Sequence, residues 1–247
     1  MGWCQAWVDE CSRVLKPGGS MFIWNIPRWC TYIAGMLNGR LTFRNWIAVD
    51  MKYSLPISGR LYPSHYGLLY YVKGTSPAAF SPDRVPMSTC GNCGMELKDY
   101  GGYKSKMNPL GISLSDVWAD ISPVRHSKYK KRKEANELPV RLLDRVLEMA
   151  TKEGDLVLDP FGGAGTTYAV AEIKKRRWIG MEIGSIDQIE ERLRDLGPDR
   201  ENIERLRAPY NHLFPPAVYS LRKSRGLWTC DDFHASESGE GVNGTLF

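Results

Sequence analysis

The stretch Asp155-Leu156-Val157-Leu158-Asp159-Pro160-Phe161-Gly162-Gly163-Ala164-Gly165-Thr166-Thr167 restricts the fold of this chain more than any other. Asp155 to Asp159 reads as a buried strand, a helix follows over roughly Thr167 to Lys175, and Arg177 to Ile183 reads as a second strand. Strand, helix and strand in that order make a βαβ unit of an α/β fold. Glycines between the strand and the helix let backbone approach a ligand closely and leave the first helical N–H groups free to donate.

Three ligand classes use such a turn. A phosphate-binding P-loop needs Gly-Lys-Ser/Thr, but Gly165 is followed by Thr166-Thr167. A dinucleotide fold prefers Gly-x-Gly-x-x-Gly, which is also absent. The remaining class is a nucleoside cofactor whose amino-acid tail sits over the turn. Glu182, at the end of the second strand, then lies where a carboxylate accepts both ribose hydroxyls. The plainer alternative is a structural turn beside an exposed glutamate.

At 247 residues the chain is long enough for one α/β core plus an inserted or peripheral module. With 43% hydrophobic and 25% charged residues, neither disorder nor membrane insertion is indicated. No run approaches the roughly 20 continuous apolar residues of a bilayer helix, and the N-terminus lacks a signal-peptide layout. A soluble, cytoplasmic protein without a membrane partner is the expectation. Cys4 and Cys11 fall on the apolar face of a predicted helix and read as reduced core residues. The net charge of +5 is mild, and its distribution matters more than its size.

Residues 3–15 place Cys4, Trp7, Val8, Cys11, Val14 and Leu15 on one helical stripe. Lys16-Pro17-Gly18-Gly19 stops that helix, and Ser20 to Asn25 follows as a short buried strand, together an αβ unit expected in a parallel sheet. A helix is predicted over Thr31 to Asn38, and strands over Phe43 to Met51 and Gly67 to Val72. From Thr75 to about Glu137 no long periodic segment appears, so this reads as an irregular insert. Pro139 is placed as a first helical residue, with Leu142, Leu143, Val146, Leu147 and Ala150 on one face behind it. A charge-rich helix is predicted from Gln188 to Leu196, a less regular region after it, and a frayed tail beyond Asp231.

Leu158 to Thr167 resembles the S-adenosylmethionine motif of the amino-group DNA methyltransferases, and Arg177-Trp178-Ile179-Gly180-Met181-Glu182-Ile183 resembles its companion strand. Val14-Leu15-Lys16-Pro17-Gly18-Gly19 is similar to the segment that follows the family's catalytic motif. Asn136-Glu137-Leu138-Pro139 is similar to its cofactor-tail motif. The order matches the permuted (β) class, with the catalytic block first and the cofactor block late. The resemblance spans roughly residues 3 to 185. It implies a Rossmann-like class I methyltransferase fold in permuted order, with an irregular inserted DNA-recognition region. It implies a catalytic-side half over 1–74, a target-recognition insert over 75–135, a cofactor half over 136–196 and a C-terminal extension, partly disordered, over 197–247. The cofactor contacts it implies are Asp159, Pro160, Phe161, Gly163, Gly165, Thr166, Glu182, Asn136 and Leu138. Asp159 either binds the cofactor's amino group or orients the turn.

Members of this family carry an Asp/Asn/Ser-Pro-Pro-aromatic run that holds the target amino group and stacks on the flipped base. No such run occurs here. Phe214-Pro215-Pro216-Ala217 lacks the polar acceptor and the aromatic, so no catalytic residue is assigned. The chain is therefore expected to begin inside the domain, as a truncated sequence, half of a split enzyme completed by an N-terminal fragment, or a decayed remnant. The first is favoured.

Arg125, Lys128, Lys130, Lys131, Arg132 and Lys133 put six basic residues in nine, a run that can neutralise phosphates of double-stranded DNA. The alternative is a solvated loop. Cys90-Gly91-Asn92-Cys93 has the spacing of a zinc half-site, making Cys90 and Cys93 the candidate metal ligands. A structural zinc needs four ligands and no second Cys-x-x-Cys exists, so a reduced turn pair is favoured. The leading function is methyl transfer from S-adenosylmethionine to adenine N6 or cytosine N4 in DNA, in a restriction-modification or solitary setting. A cognate restriction endonuclease and a homodimer fit that class. The competing readings are a cofactor-binding subunit without catalysis and a methyltransferase acting on something other than DNA.

Overall fold

Trp7, Val8, Cys11 and Leu15 recur at helical spacing, and α1 (Gly2–Val14) turns that stripe inward, burying Val8 completely. Val14, expected on the same stripe, is 47% exposed, so the buried face is narrower than the periodicity suggested. The computed structural model describes residues 2–50, 58–59, 61–62, 64–89, 102–122, 124 and 137–233. The chain divides into two units. The first comprises Met1–Pro82 and Ser115–Glu204, and the second Asp83–Leu114 and Arg205–Phe247.

In the first unit the Lys-Pro-Gly-Gly turn is held from a distance. Gly18, at φ +74°, donates its N–H to the Lys73 carbonyl at 2.7 Å, a left-handed conformation that glycine adopts without steric cost. Lys73 Nζ in turn donates to the carbonyls of Ser12 and Arg13 at the end of α1, where a cation complements the helix dipole.

The strands β1 (Ser20–Asn25), β2 (Thr42–Asp50), β3 (His65–Val72) and β4 (Val117–Trp118) form one sheet in the order β1-β3-β2-β4. β1 pairs antiparallel with β3, from Ser20 opposite Val72 to Asn25 opposite Gly67. This corrects the expected parallel neighbour. A helix, turn and strand fix the direction in which β1 runs but not which strand comes to lie beside it. β2 is also antiparallel to β3, while β4 is parallel to β2.

The helix α2 (Pro27–Leu37) starts four residues earlier than predicted, because Pro27 sits in the first turn, where its missing N–H costs nothing. It packs on α1 and β3. Cys30, Ile33 and Leu37 meet Val8, Leu41, Leu69 and Tyr71 in a common core. Burying each large apolar side chain there contributes roughly 1.5–3 kcal/mol.

The second sheet of this unit holds β5 (Leu156–Asp159) and β6 (Arg177–Gly180), parallel and in register, joined by α4 (Thr166–Ile173) as the sequence predicts. β5 is not the buried strand expected, however, since Leu156 and Leu158 on one face are exposed. α3 (Val140–Ala150) packs on α4, with Pro139 as its N-cap and not its first helical residue. Arg145 anchors α3 to the β4 region. It grips Asp120 with two nitrogens at 2.9 and 2.6 Å and lies over the Trp118 ring. Burial alone would raise the Asp120 carboxyl, but the hydrogen bonds and charge of Arg145 hold it below its usual range. α5 (Asp187–Arg194) rests on α4, and α6 (Gly197–Arg207) contains the division between the units.

In the second unit, Asp83 accepts two hydrogen bonds from Arg207 and one from Asn211. Leu213 and Phe214 form its apolar centre with Met87, Met107 and Trp228. Pro215 and Pro216 open α7 (Pro216–Ser224), so the Pro-Pro pair serves as a helix start. The region after α5 is thus more helical than its sequence reads. Among the described residues no helix is long and apolar enough to cross a membrane.

Candidate functional site

The end of β5, the glycine turn and the start of α4 form one hydrogen-bonded body. Asp159 Oδ1 accepts the Phe161 N–H at 3.0 Å, and Oδ2 accepts the Thr167 hydroxyl at 2.5 Å. Both carboxylate oxygens therefore shape the turn. Burial pushes the Asp159 carboxyl up and the negative charge of Glu182 adds to this, against the opposing hydrogen bonds from Thr167 and Phe161. Gly162 donates to the Met181 carbonyl at 2.8 Å, and Met181 donates back to the Asp159 carbonyl at 3.1 Å, closing the turn onto β6.

Gly163 and Gly165 have φ of +53° and +73°, a region that disfavours other residues. A Cβ at Gly163 would meet nothing nearer than the Phe161 carbonyl oxygen at 3.9 Å, so the space over this residue is open. Gly165 is backed by Ile189 of α5, 3.2 Å from where its Cβ would stand. The turn thus has one open side and one packed side. Glu182 lies two residues past β6, which is shorter than predicted. Its Oε2 accepts the Gly163 N–H at 2.7 Å and its Oε1 accepts the Gly184 N–H at 2.8 Å. Both oxygens of this carboxylate thus face the turn and the loop after β6.

Residues not assigned to the site from the sequence complete the body. Tyr168 stacks on Trp178 with centroids 4.6 Å apart and donates its hydroxyl to the Asp159 carbonyl at 2.9 Å. Burial pushes its phenol well above the usual range, so it remains a donor. Gly180 makes room for that ring, because a Cβ there would lie 2.2 Å from Tyr168 Cζ. Trp7 of α1 meets the half-exposed Phe161 edge-on at 5.3 Å, with Trp3 at 5.9 Å from the same ring. Cys11, one turn along α1, has its thiol raised first by burial and then by the charges of Glu10 and Asp159. A tryptophan on a helical stripe reads as core, and nothing local told that it would reach the turn.

Of the residues singled out from the sequence, the structure gathers Asp159, Pro160, Phe161, Gly163, Gly165, Thr166 and Glu182 around one turn. Leu138 comes to the same body through its neighbour. Glu137 accepts a hydrogen bond from Arg192 at 2.9 Å, and the same guanidinium nitrogen reaches the Thr166 hydroxyl at 2.9 Å. The Thr166 hydroxyl is thus already engaged. Asn136 lies outside the described residues, as do Cys90, Cys93 and Arg125, Lys128, Lys130, Lys131, Arg132 and Lys133 of the basic run. Among the described residues no group of three His, Cys, Asp or Glu side chains is placed to hold a metal ion.

A family model described as "DNA methylase", of the N6/N4 methyltransferases, matches residues 1–191. The Type II methyltransferase M.BamHI of Bacillus amyloliquefaciens is 57% identical over 239 residues, which are 97% of this chain and 56% of that protein. The DNA adenine methyltransferase YhdJ of Escherichia coli is 31% identical over 190 residues, covering 74% of this chain and 62% of that one. The chain thus spans between about half and two thirds of the length of these relatives. Among solved structures, the M1.HpyAVI-SAM complex superposes with a TM-score of 0.55 at 20% identity, covering 76% of this chain and 81% of that one. The cytosine-N4-specific PvuII DNA methyltransferase gives 0.56 at 17% identity, covering 83% and 74%. At such identities the likeness shows a shared fold.

Proposed function

The chain belongs to the N6/N4 DNA methylase family and has its Rossmann-like class I fold, and from that premise we propose that it acts in methyl transfer from S-adenosylmethionine to adenine N6 or cytosine N4 of double-stranded DNA. The observation that carries the reading is the glycine turn from Asp159 to Thr167, open above Gly163 and flanked by Glu182. These residues fit the cofactor. Gly163, just before the N-terminus of α4, offers backbone without a side chain to its amino-acid tail. The Glu182 carboxylate beside the turn is an acceptor of the kind ribose hydroxyls require, and the exposed half of Phe161 offers an apolar face. Leu138 and Asn136 are assigned to the tail side. When bound, the cofactor supplies a methyl group on a positively charged sulfur, and the protein's part is positioning.

Residues 75–135 are assigned to target recognition, with phosphate contacts from Arg125 to Lys133. The composition of that run supports this, since such charge gives salt-dependent affinity for DNA. A cognate restriction endonuclease and a homodimer remain part of the proposal on the ground of family membership alone.

Two measurements test the reading. Calorimetric titration of the folded chain with S-adenosylmethionine is expected to give saturable one-to-one binding. Incubation with labelled cofactor and mixed-sequence DNA, followed by nucleoside analysis, is expected to show label on adenine or cytosine amino nitrogen. A folded chain that binds no cofactor would overturn the assignment of the turn.

A further inference from the structure

Arg192 lies on α5, in a helix that reads from sequence as merely charge-rich, yet its side chain is only 2% exposed. Its Nε and Nη2 hold Asp199 of α6 in a fork at 2.6 and 3.0 Å. Its Nη1 points the other way. It donates to Glu137 Oε1 at 2.9 Å, to the Thr166 hydroxyl at 2.9 Å and to the Ala164 carbonyl at 3.3 Å. Pairing α5 with α6 would need only the fork to Asp199. The second set of contacts joins two segments far apart in sequence, the one before α3 and the glycine turn. Both carry residues assigned above to the cofactor.

We propose that Arg192 is a positioning residue for the cofactor site, setting the distance between the Glu137–Leu138 segment and the Gly163–Thr166 turn through a single buried guanidinium. The inference rests on the cofactor reading given above, but the clamp itself is a property of the chain alone. A planar fork with five donors can serve acceptors on two sides at once, whereas a lysine ammonium is a compact point charge. Ile189, one turn before Arg192, packs behind Gly165, so the same helix face supports the turn by shape and by hydrogen bond. Arg192 touches no reacting atom. Its effect passes through the two segments it joins.

Hydrogen exchange on the chain without cofactor tests this directly. In Arg192→Lys, the Gly165 and Ala169 amides at the turn and the Leu142 and Leu143 amides opening α3 are expected to exchange at least tenfold faster. The β1–β3 amides should be unchanged. Glu137→Ala keeps the fork to Asp199 and should loosen only the opening of α3, so the clamp is still tested if the lysine variant does not fold. Arg194→Gln, on the exposed side of α5, should match the wild type. Cofactor affinity by calorimetry should fall at least tenfold in Arg192→Lys. Unchanged exchange at both segments, or faster exchange spread evenly across the unit, would overturn the clamp. A wild-type chain that binds no S-adenosylmethionine would instead overturn the cofactor reading, and the exchange pattern would still decide the role of Arg192.

Discussion

A side chain at Gly163 meets two obstacles of different kinds. The backbone there has φ +53°, and a β-branched residue held in that region loses about 1–2 kcal/mol. It also projects into the open space above the turn, where the cofactor is proposed to lie. Gly163→Val is therefore expected to lower stability by about that amount and to abolish cofactor binding in a chain that still folds. Thermal melting and calorimetric titration check the two effects separately. Asp159 gives a prediction in pH. Its carboxyl is raised by burial, so it holds its proton more tightly in the folded chain than in the unfolded one. Ionising it therefore lowers stability as pH climbs from the ordinary carboxylate range through the raised value. Asp159→Asn has no such ionisation. Its stability relative to wild type should rise as the pH climbs above about 4, whatever constant offset the altered Thr167 bond introduces. Urea midpoints over a pH series would show it, and a flat difference would deny that the carboxyl is raised.

At the scale of elements, β5, α4 and β6 depend on one close fit. The Tyr168 ring fills the space over Gly180, stacks on Trp178 and ties its hydroxyl to the Asp159 carbonyl. Gly180→Ala would drive Tyr168 off this position, and overpacking of this kind costs about 1–3 kcal/mol. The shift should appear as a lower urea midpoint and altered near-ultraviolet dichroism from Tyr168 and Trp178. The periodicity of this βαβ unit was legible because both strands are short apolar runs bounded by turn residues. The true ends were less so: β6 stops at Gly180, leaving Glu182 in the following loop, where its own hydrogen bonds place it.

For the whole molecule, the sequence predicts affinity for DNA that falls with salt, carried by the run from Arg125 to Lys133. Replacing Lys130, Lys131 and Arg132 by Gln should reduce the slope of log affinity against log salt by up to about 2.7 if all three neutralise phosphates. Fluorescence anisotropy on a duplex over a salt series measures this, and an unchanged slope would return the run to a solvated loop. The +5 charge of the chain is too small to predict such binding by itself.

The sequence alone determined the βαβ unit, the glycine turn and the Lys-Pro-Gly-Gly stop, since each depends on neighbours within a few positions. Periodicity of apolar residues and the special backbone of glycine and proline are written locally. Tertiary structure alone decided what lies across longer separations. It set β3 antiparallel beside β1, brought Trp7 against Phe161, and sent the Glu182 carboxylate to an N–H 19 positions away. It also joined Arg192 to Glu137 across 55 positions. A charged residue in a charge-rich helix carries no local mark of burial. Only the packed chain, by withdrawing water from its guanidinium, made partners at that distance necessary.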